Sequence, residues 1–261
     1  MNSTKFFIDQ HGCAKNQVDG ELIISLLKKK NWIQTFDASQ ADLIIVNSCG
    51  FIESAKTESL DAVMSARRMY PKAKILLAGC LAERYANDLR DSLTEADGFF
   101  GNGKLDEIYK ILDPLMNDER PVLVPEQKGV CCGDRKLLLN FPGSAFVKIT
   151  EGCNNRCSFC AIPLIRGNLR SRPADEIITE ISYIKSHRIS LFGIIINEYD
   201  IESDNIEQKY LPHLIKEYTA GTKILGCVPH IDEIRPDTLI AQTLNSFNIE
   251  EIFGLEIAKL H

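Results

Sequence analysis

Short, almost wholly apolar runs set at helix-length intervals constrain this chain more than any other feature. Asp42–Asn47 reads Asp-Leu-Ile-Ile-Val-Asn. A strand with no polar face belongs in a sheet covered on both sides. Lys5–Gln10, Lys74–Ala78 and Gly98–Phe100 are the other strands expected in the first hundred residues. Between them the spacing predicts helices over Val18–Lys30, Glu53–Met69, Ala82–Leu93 and Leu105–Leu112. The first ends in lysines, which suits a helix C-terminus, and Pro71 stops the second. Strand–helix alternation with short loops calls for right-handed βαβ units and a doubly wound parallel sheet.

Residues 113–140 lose that rhythm. Pro114, Pro121, Pro125, Gly129 and Gly133 among scattered charges read as a linker. A second series then begins, with strands at Ala145–Ile149, Leu191–Ile196, Lys223–Val228 and Glu251–Leu255. Its helices are expected at Ala174–Ser186, Tyr210–Thr219 and Pro236–Ser246. The fold class is therefore α/β: an N-terminal doubly wound parallel sheet (1–112), a linker (113–140) and an incomplete β/α barrel (141–261).

Composition narrows the setting. No apolar run among the 261 residues approaches the ~18 needed to span a bilayer, and no charged-then-apolar leader is read at the N-terminus. A cytoplasmic protein with no membrane partner is expected. The net charge of -6 disfavours broad, sequence-independent nucleic-acid binding. Nine cysteines, an odd number, are poor material for disulfides in a compartment that keeps thiols reduced. Metal ligation, redox chemistry and plain burial remain.

Three of the nine stand together in Glu151-Gly-Cys153-Asn-Asn-Arg-Cys157-Ser-Phe-Cys160, a C-x3-C-x2-C loop after an expected strand. Soft thiolates select zinc, copper(I) or an iron–sulfur cluster. A closed zinc site needs four ligands, and the next histidine along the chain is His187. Three cysteines on a four-iron cluster would leave one iron open to a substrate. Arg156 adds positive charge beside such an anionic centre. Structural zinc and chance packing are the alternatives.

Cys13, Cys49 and Cys80 each lie just past an expected strand, next to Gly12, Gly50 and Gly79. Open parallel sheets bind ligands beyond the carboxyl ends of their strands. Three strands each delivering one cysteine to that edge make a second candidate centre, against the plainer reading of buried thiols.

The C-x3-C-x2-C loop resembles the signature of radical S-adenosylmethionine (SAM) enzymes. With a three-cysteine domain ahead of it, the chain resembles the methylthiotransferases. Gly12-Cys13-Ala-Lys-Asn-Gln-Val-Asp19-Gly-Glu21, Asn47-Ser-Cys49-Gly-Phe-Ile-Glu-Ser-Ala, Ile165-Arg-Gly167 and Ser171-Arg-Pro173 all fit. Lys15–Asn16 and Cys49-Gly-Phe-Ile-Glu-Ser look more like the ribosomal-protein branch than the tRNA branch. The resemblance implies a radical SAM barrel and two [4Fe-4S] clusters. One would be held by Cys153, Cys157 and Cys160, which also bind SAM through the open iron; the other by Cys13, Cys49 and Cys80. It implies hydrogen abstraction from the β-carbon of an aspartate in small-subunit ribosomal protein twelve, followed by methylthio transfer. A reductant such as flavodoxin or ferredoxin would serve it. The alternatives are methylthiolation of isopentenyladenosine in tRNA, or an iron–sulfur binding protein without full activity.

The motif match runs from about Lys5 to Ile184. Where the ribosomal branch carries Gln-Asp followed by Tyr-Gly, Ile194–Asp200 reads Ile-Ile-Ile-Asn-Glu-Tyr-Asp. The segment from Phe141 holds about four strands, and the family's C-terminal β-barrel domain is not found; a truncated chain or a piece of a longer enzyme is expected. Cys131, Cys132 and Cys227 are expected bystanders. Arg166, Arg170 and Arg172 form a basic loop, either solvated or in contact with SAM or substrate. His11 is a turn residue or a hydrogen-bond partner of the Cys13 centre. The helix acids and lysines are expected at the surface.

Overall fold

Six of the described strands build one parallel sheet. The computed structural model describes residues 3–130, 133, 135, 138, 139, 145–186, 194–199 and 224–229. The strands are β1 (Lys5–Gln10), β2 (Ile33–Gln34), β3 (Leu43–Ser48), β4 (Lys74–Gly79), β5 (Gly98–Phe100) and β6 (Val122–Leu123). They run side by side in the order β2-β1-β3-β4-β5-β6, with every pairing parallel. The chain steps from β1 outward to β2, then crosses back to β3. That reversal puts the topological switch point between β1 and β3.

Alternation along the strands supplies two cores, as a sheet covered on both faces requires. On one face Phe6, Ile8, Leu43, Ile45, Leu76 and Ala78 pack against helix α1 (Ala14–Lys29) and helix α4 (Tyr109–Met116). On the other, Ile44, Val46, Ile75 and Leu77 meet α2 (Glu53–Met69) and α3 (Cys80–Ser92). Helix α1 carries Lys28 and Lys29 in its last turn, where cations suit the helix dipole. Asn31 follows at φ 62°, a left-handed position that asparagine tolerates better than most residues.

The expected linker contributes to this layer. Helix α4 continues through Pro114 to Met116 because Leu112 and Leu115 are both fully buried against the sheet. The two residues of β6 then close the sheet edge beside β5. Flanking Pro121 and Pro125 masked so short a strand in the sequence.

Two compact units divide the chain. The first comprises Met1–Leu139 and Phe146–Arg172; the second comprises Asn140–Ala145 and Pro173–His261. In the first, β7 (Thr150–Glu151) pairs antiparallel with β8 (Arg170–Ser171), and α5 (Ile162–Arg166) lies between them. The strand expected at Ala145–Ile149 is thus found slightly later, at β7, because only Thr150 and Glu151 find a ladder partner. The second unit contains α6 (Ala174–Ser186), β9 (Ile194–Tyr199) and β10 (Ile224–Pro229). Strands β9 and β10 pair in parallel, as barrel strands must. The expected elements Tyr210–Thr219, Pro236–Ser246 and Glu251–Leu255 lie outside the described residues, as do Cys131 and Cys132.

Candidate iron–sulfur centres

The strand order determines where the first three cysteines go. Strands β1, β3 and β4 are neighbours, and Cys13, Cys49 and Cys80 follow their carboxyl ends. A Cβ placed on Gly12 would stand 3.0 Å from the Cβ of Cys49 and 3.5 Å from its Sγ, so the first two cysteine loops touch. The second and third touch as well: a Cβ on Gly50 would stand 2.6 Å from the carbonyl oxygen of Cys80. The side chain of Asn16 fastens these loops. Its Nδ2 donates to the carbonyls of His11 (2.8 Å), Asn47 (3.1 Å) and Ser48 (3.1 Å). Asn16→Ala should therefore cost about 1–3 kcal/mol, the usual penalty for stripping partners from buried polar groups. Urea denaturation of the metal-free chain reads this, and an unchanged midpoint would show that the carbonyls find other donors.

Burial differs across the set. Cys13 is exposed, Cys49 half-buried and Cys80 buried. Two donors converge on the Cys80 sulfur: Arg166 Nη2 at 3.2 Å and Asn102 Nδ2 at 3.3 Å. Burial nevertheless pushes the Cys80 thiol up to about 11, against the pull of Arg166. Without a metal this sulfur keeps its proton; a metal binding there would displace it.

The second set lies on the loop after β7. Cys153 donates its N–H to the Gly167 carbonyl at 3.0 Å, and the N–H of Cys160 closes a turn onto the Cys157 carbonyl, also at 3.0 Å. Cys157 is exposed, as are Arg156 and Phe159, while Cys153 and Cys160 are half-buried. Among the described residues no three His, Cys, Asp or Glu side chains stand close enough to share one metal ion. A multi-iron cluster distributes its cysteines over several metal atoms and does not demand that closeness.

The two sets are neighbours. Cys80 packs in one apolar cluster with Ala161 and Ile165, and Ala161 directly follows Cys160. Around them runs a buried network of four charges. Asp19 accepts from Lys148 Nζ at 2.5 Å and from Arg166 Nη1 at 2.7 Å. Glu151 accepts from the same two groups, at 2.6 Å and 3.0 Å. Burial opposes ionisation of Lys148, Arg166 and Glu151, but the opposite charges win. Lys148 and Arg166 are held above their ordinary values, and Glu151 below its own. Beside this network Glu21 pairs with Arg135 and accepts the Leu139 N–H at 2.8 Å.

Several sequence expectations change here. Arg166 and Arg172 are buried rather than solvated, and Arg172 donates to the Lys148 carbonyl. Asp19 and Glu21, expected at the surface, are each 1% exposed. Arg135, Leu139 and Lys148 meet that side of α1 through Glu21 and Asp19; the position of the two acids beside Cys13 within one motif was the available signal. His11 bonds Glu58 at 3.0 Å and lies 3.2 Å from Asp9. The Asp9 contact, opposed by burial, raises its pKa. No helix among the described residues is long and apolar enough to cross a membrane.

Comparison with known proteins assigns both halves. Residues 5–101 match the Uncharacterized protein family UPF0004, and residues 147–249 match the Radical SAM superfamily. The second match continues past Ile184, where the local motifs gave out. A relative from Treponema denticola, "Ribosomal protein uS12 methylthiotransferase RimO", is 51% identical over 228 residues, covering 84% of this chain and 48% of that protein. Proteins of the same name from Acetivibrio thermocellus and Syntrophomonas wolfei are 36% identical over 259 residues and 35% over 216. These alignments cover 94% and 79% of this chain, and 57% and 48% of the two relatives. The chain spans about half the length of the curated relatives it matches.

Proposed function

The chain belongs to the RimO-type methylthiotransferases of the radical SAM superfamily, and from that premise we propose that it adds a methylthio group to the β-carbon of an aspartate in ribosomal protein uS12. Cys153, Cys157 and Cys160 would hold the [4Fe-4S] cluster that binds SAM, and Cys13, Cys49 and Cys80 a second [4Fe-4S] cluster. A small reductant protein of the flavodoxin or ferredoxin kind would supply electrons in the cytoplasm. The observation that carries this reading is the packing of Cys80 against Ala161, which makes the two cysteine sets adjacent.

When bound, the clusters and SAM supply reductive SAM cleavage and a transferable sulfur. The chain's own residues prepare the ground for that chemistry. The fit is visible at Cys80, where a guanidinium and a carboxamide both aim N–H groups at one buried sulfur. Such donors suit a sulfur that carries negative charge, as a cluster ligand does. Cys80, Ala161 and Ile165 exclude water between the sets. Cys157 faces solvent, which leaves its set accessible to ligands arriving from outside.

Anaerobic reconstitution with iron and sulfide, then SAM, dithionite and a peptide carrying the uS12 aspartate loop, tests the reading. The peptide should gain one methylthio group in place of hydrogen, and 5′-deoxyadenosine should form. Cys157→Ala should lower both by at least about 100-fold, since even loss of a ligand's supporting partner costs up to that much. Cys49→Ala should spare 5′-deoxyadenosine formation and abolish methylthio transfer. Methylthiolation by Cys49→Ala, or modification of tRNA while the peptide stays untouched, would overturn the assignment.

A further inference from the structure

Arg166 is the residue that physically joins the two cysteine sets. It lies six positions after Cys160, yet its side chain reaches the third cysteine of the other set. Its two terminal nitrogens divide the work. Nη1 donates to Asp19 (2.7 Å) and Glu151 (3.0 Å), while Nη2 donates to Cys80 Sγ (3.2 Å). Asp19 is on α1, which begins directly after Cys13, and Glu151 lies two residues before Cys153. One guanidinium therefore contacts α1, the start of α3 and the end of β7, in a place where it is 4% exposed.

We propose that Arg166 is a positioning residue for the cluster held by Cys13, Cys49 and Cys80, retaining it and raising its reduction potential from the end of α5, the helix that follows the other set. The inference rests on the function proposed above and adds to it a dependence of one centre on the helix that follows the other. A hydrogen bond and a positive charge at a ligand sulfur favour the more negative, reduced cluster, so the potential rises. Low exposure leaves little water to screen that charge. Only a forked side chain serves all three acceptors. A lysine has a single nitrogen, which Asp19 and Glu151 would capture, leaving the sulfur without its charged donor.

The test uses the full chain with Cys153, Cys157 and Cys160 all replaced by alanine, so that one cluster remains to be measured. Those substitutions leave untouched Ala161 and Ile165, whose packing against Cys80 anchors α5. Arg166→Gln should then weaken iron retention against a chelator by about tenfold, the low end of the usual cost of losing such a partner. The midpoint potential of the iron that remains should become more negative. Arg166→Lys preserves the charge opposite Asp19 and Glu151, and so folding, but should show the same direction of shift in potential. A purely structural arginine would lower the melting temperature and leave the potential where it was. Unchanged retention and potential in Arg166→Gln overturn the proposal. Should Arg166→Gln not fold, an unchanged potential in Arg166→Lys overturns it equally. Adding Cys80→Ala to the triple background must remove the iron; if the iron stays, the assignment of the Cys13, Cys49 and Cys80 cluster is itself what fails, and the proposal goes with it.

Discussion

Asp19→Asn should lower the melting temperature of the metal-free chain by about 10 °C. Asp19 and Glu151 face Lys148 and Arg166, two charges against two, all within a few percent of complete burial. Removing the Asp19 charge leaves two buried cations on one carboxylate. Breaking a buried pair in this way costs about 3–5 kcal/mol, mostly from the uncompensated charge. For a unit of this size each kcal/mol moves the midpoint by about 2–4 °C. The nearly isosteric amide keeps the packing, so the effect isolates charge. Lys148→Met in the same chain restores the balance, and the double variant should recover more than half of the loss. Asp113→Asn is the contrast: it breaks the exposed pair with Lys30, which is worth about 0–1 kcal/mol. A calorimetric midpoint for Asp19→Asn as close to wild type as that of Asp113→Asn would show that the network contributes nothing to stability.

That network also marks the boundary of what the sequence makes legible. The sheet is readable because β3 and β4 bury residues on both faces, and uninterrupted Leu-Ile-Ile-Val and Ile-Leu-Leu-Ala have few other uses. The cysteines are readable because three share one short loop and three follow the carboxyl ends of adjacent strands, the spacing and edge that metal ligation would require. Their adjacency across the two sets is not, since nothing local in Cys80 points to Ala161. The buried charges are harder still. Lys148 and Arg166 bond an aspartate 129 and 147 positions away. Asp19 follows buried Val18 on a helix whose polar residues have every local appearance of a solvated face. The periodicity of one helix reports which residues could face a core. It carries no information about later residues that meet its other side, as Arg135, Leu139 and Lys148 do here.

Gly152→Ala should disable the Cys153 loop while leaving the Cys13, Cys49 and Cys80 edge intact. Gly152 sits at φ +78°, where an alanine is strained before any contact is considered. Its Cβ would stand 2.1 Å from the Asn168 carbonyl oxygen and 2.6 Å from that of Gly167. Both obstacles are backbone, so the strand-side loop and the 167–168 turn must separate. That separation breaks the bond from the Cys153 N–H to the Gly167 carbonyl, which fixes the first cysteine of its set. Glu151 remains tethered by Lys148 and Arg166, so the displacement passes toward Cys153 and not back into α1. The expected result in reconstituted protein is a loss of 5′-deoxyadenosine formation of at least about 100-fold, as for loss of a ligand. About half of the iron should remain, held at the sheet edge and still removable by Cys80→Ala. Gly129→Ala separates strain from collision, because Gly129 has φ +65° but nothing within 4 Å of its added Cβ. It should cost about 1–3 kcal/mol of stability and leave the iron content unchanged. Full SAM cleavage by Gly152→Ala would mean that the loop does not need the Gly167 contact to present its cysteines.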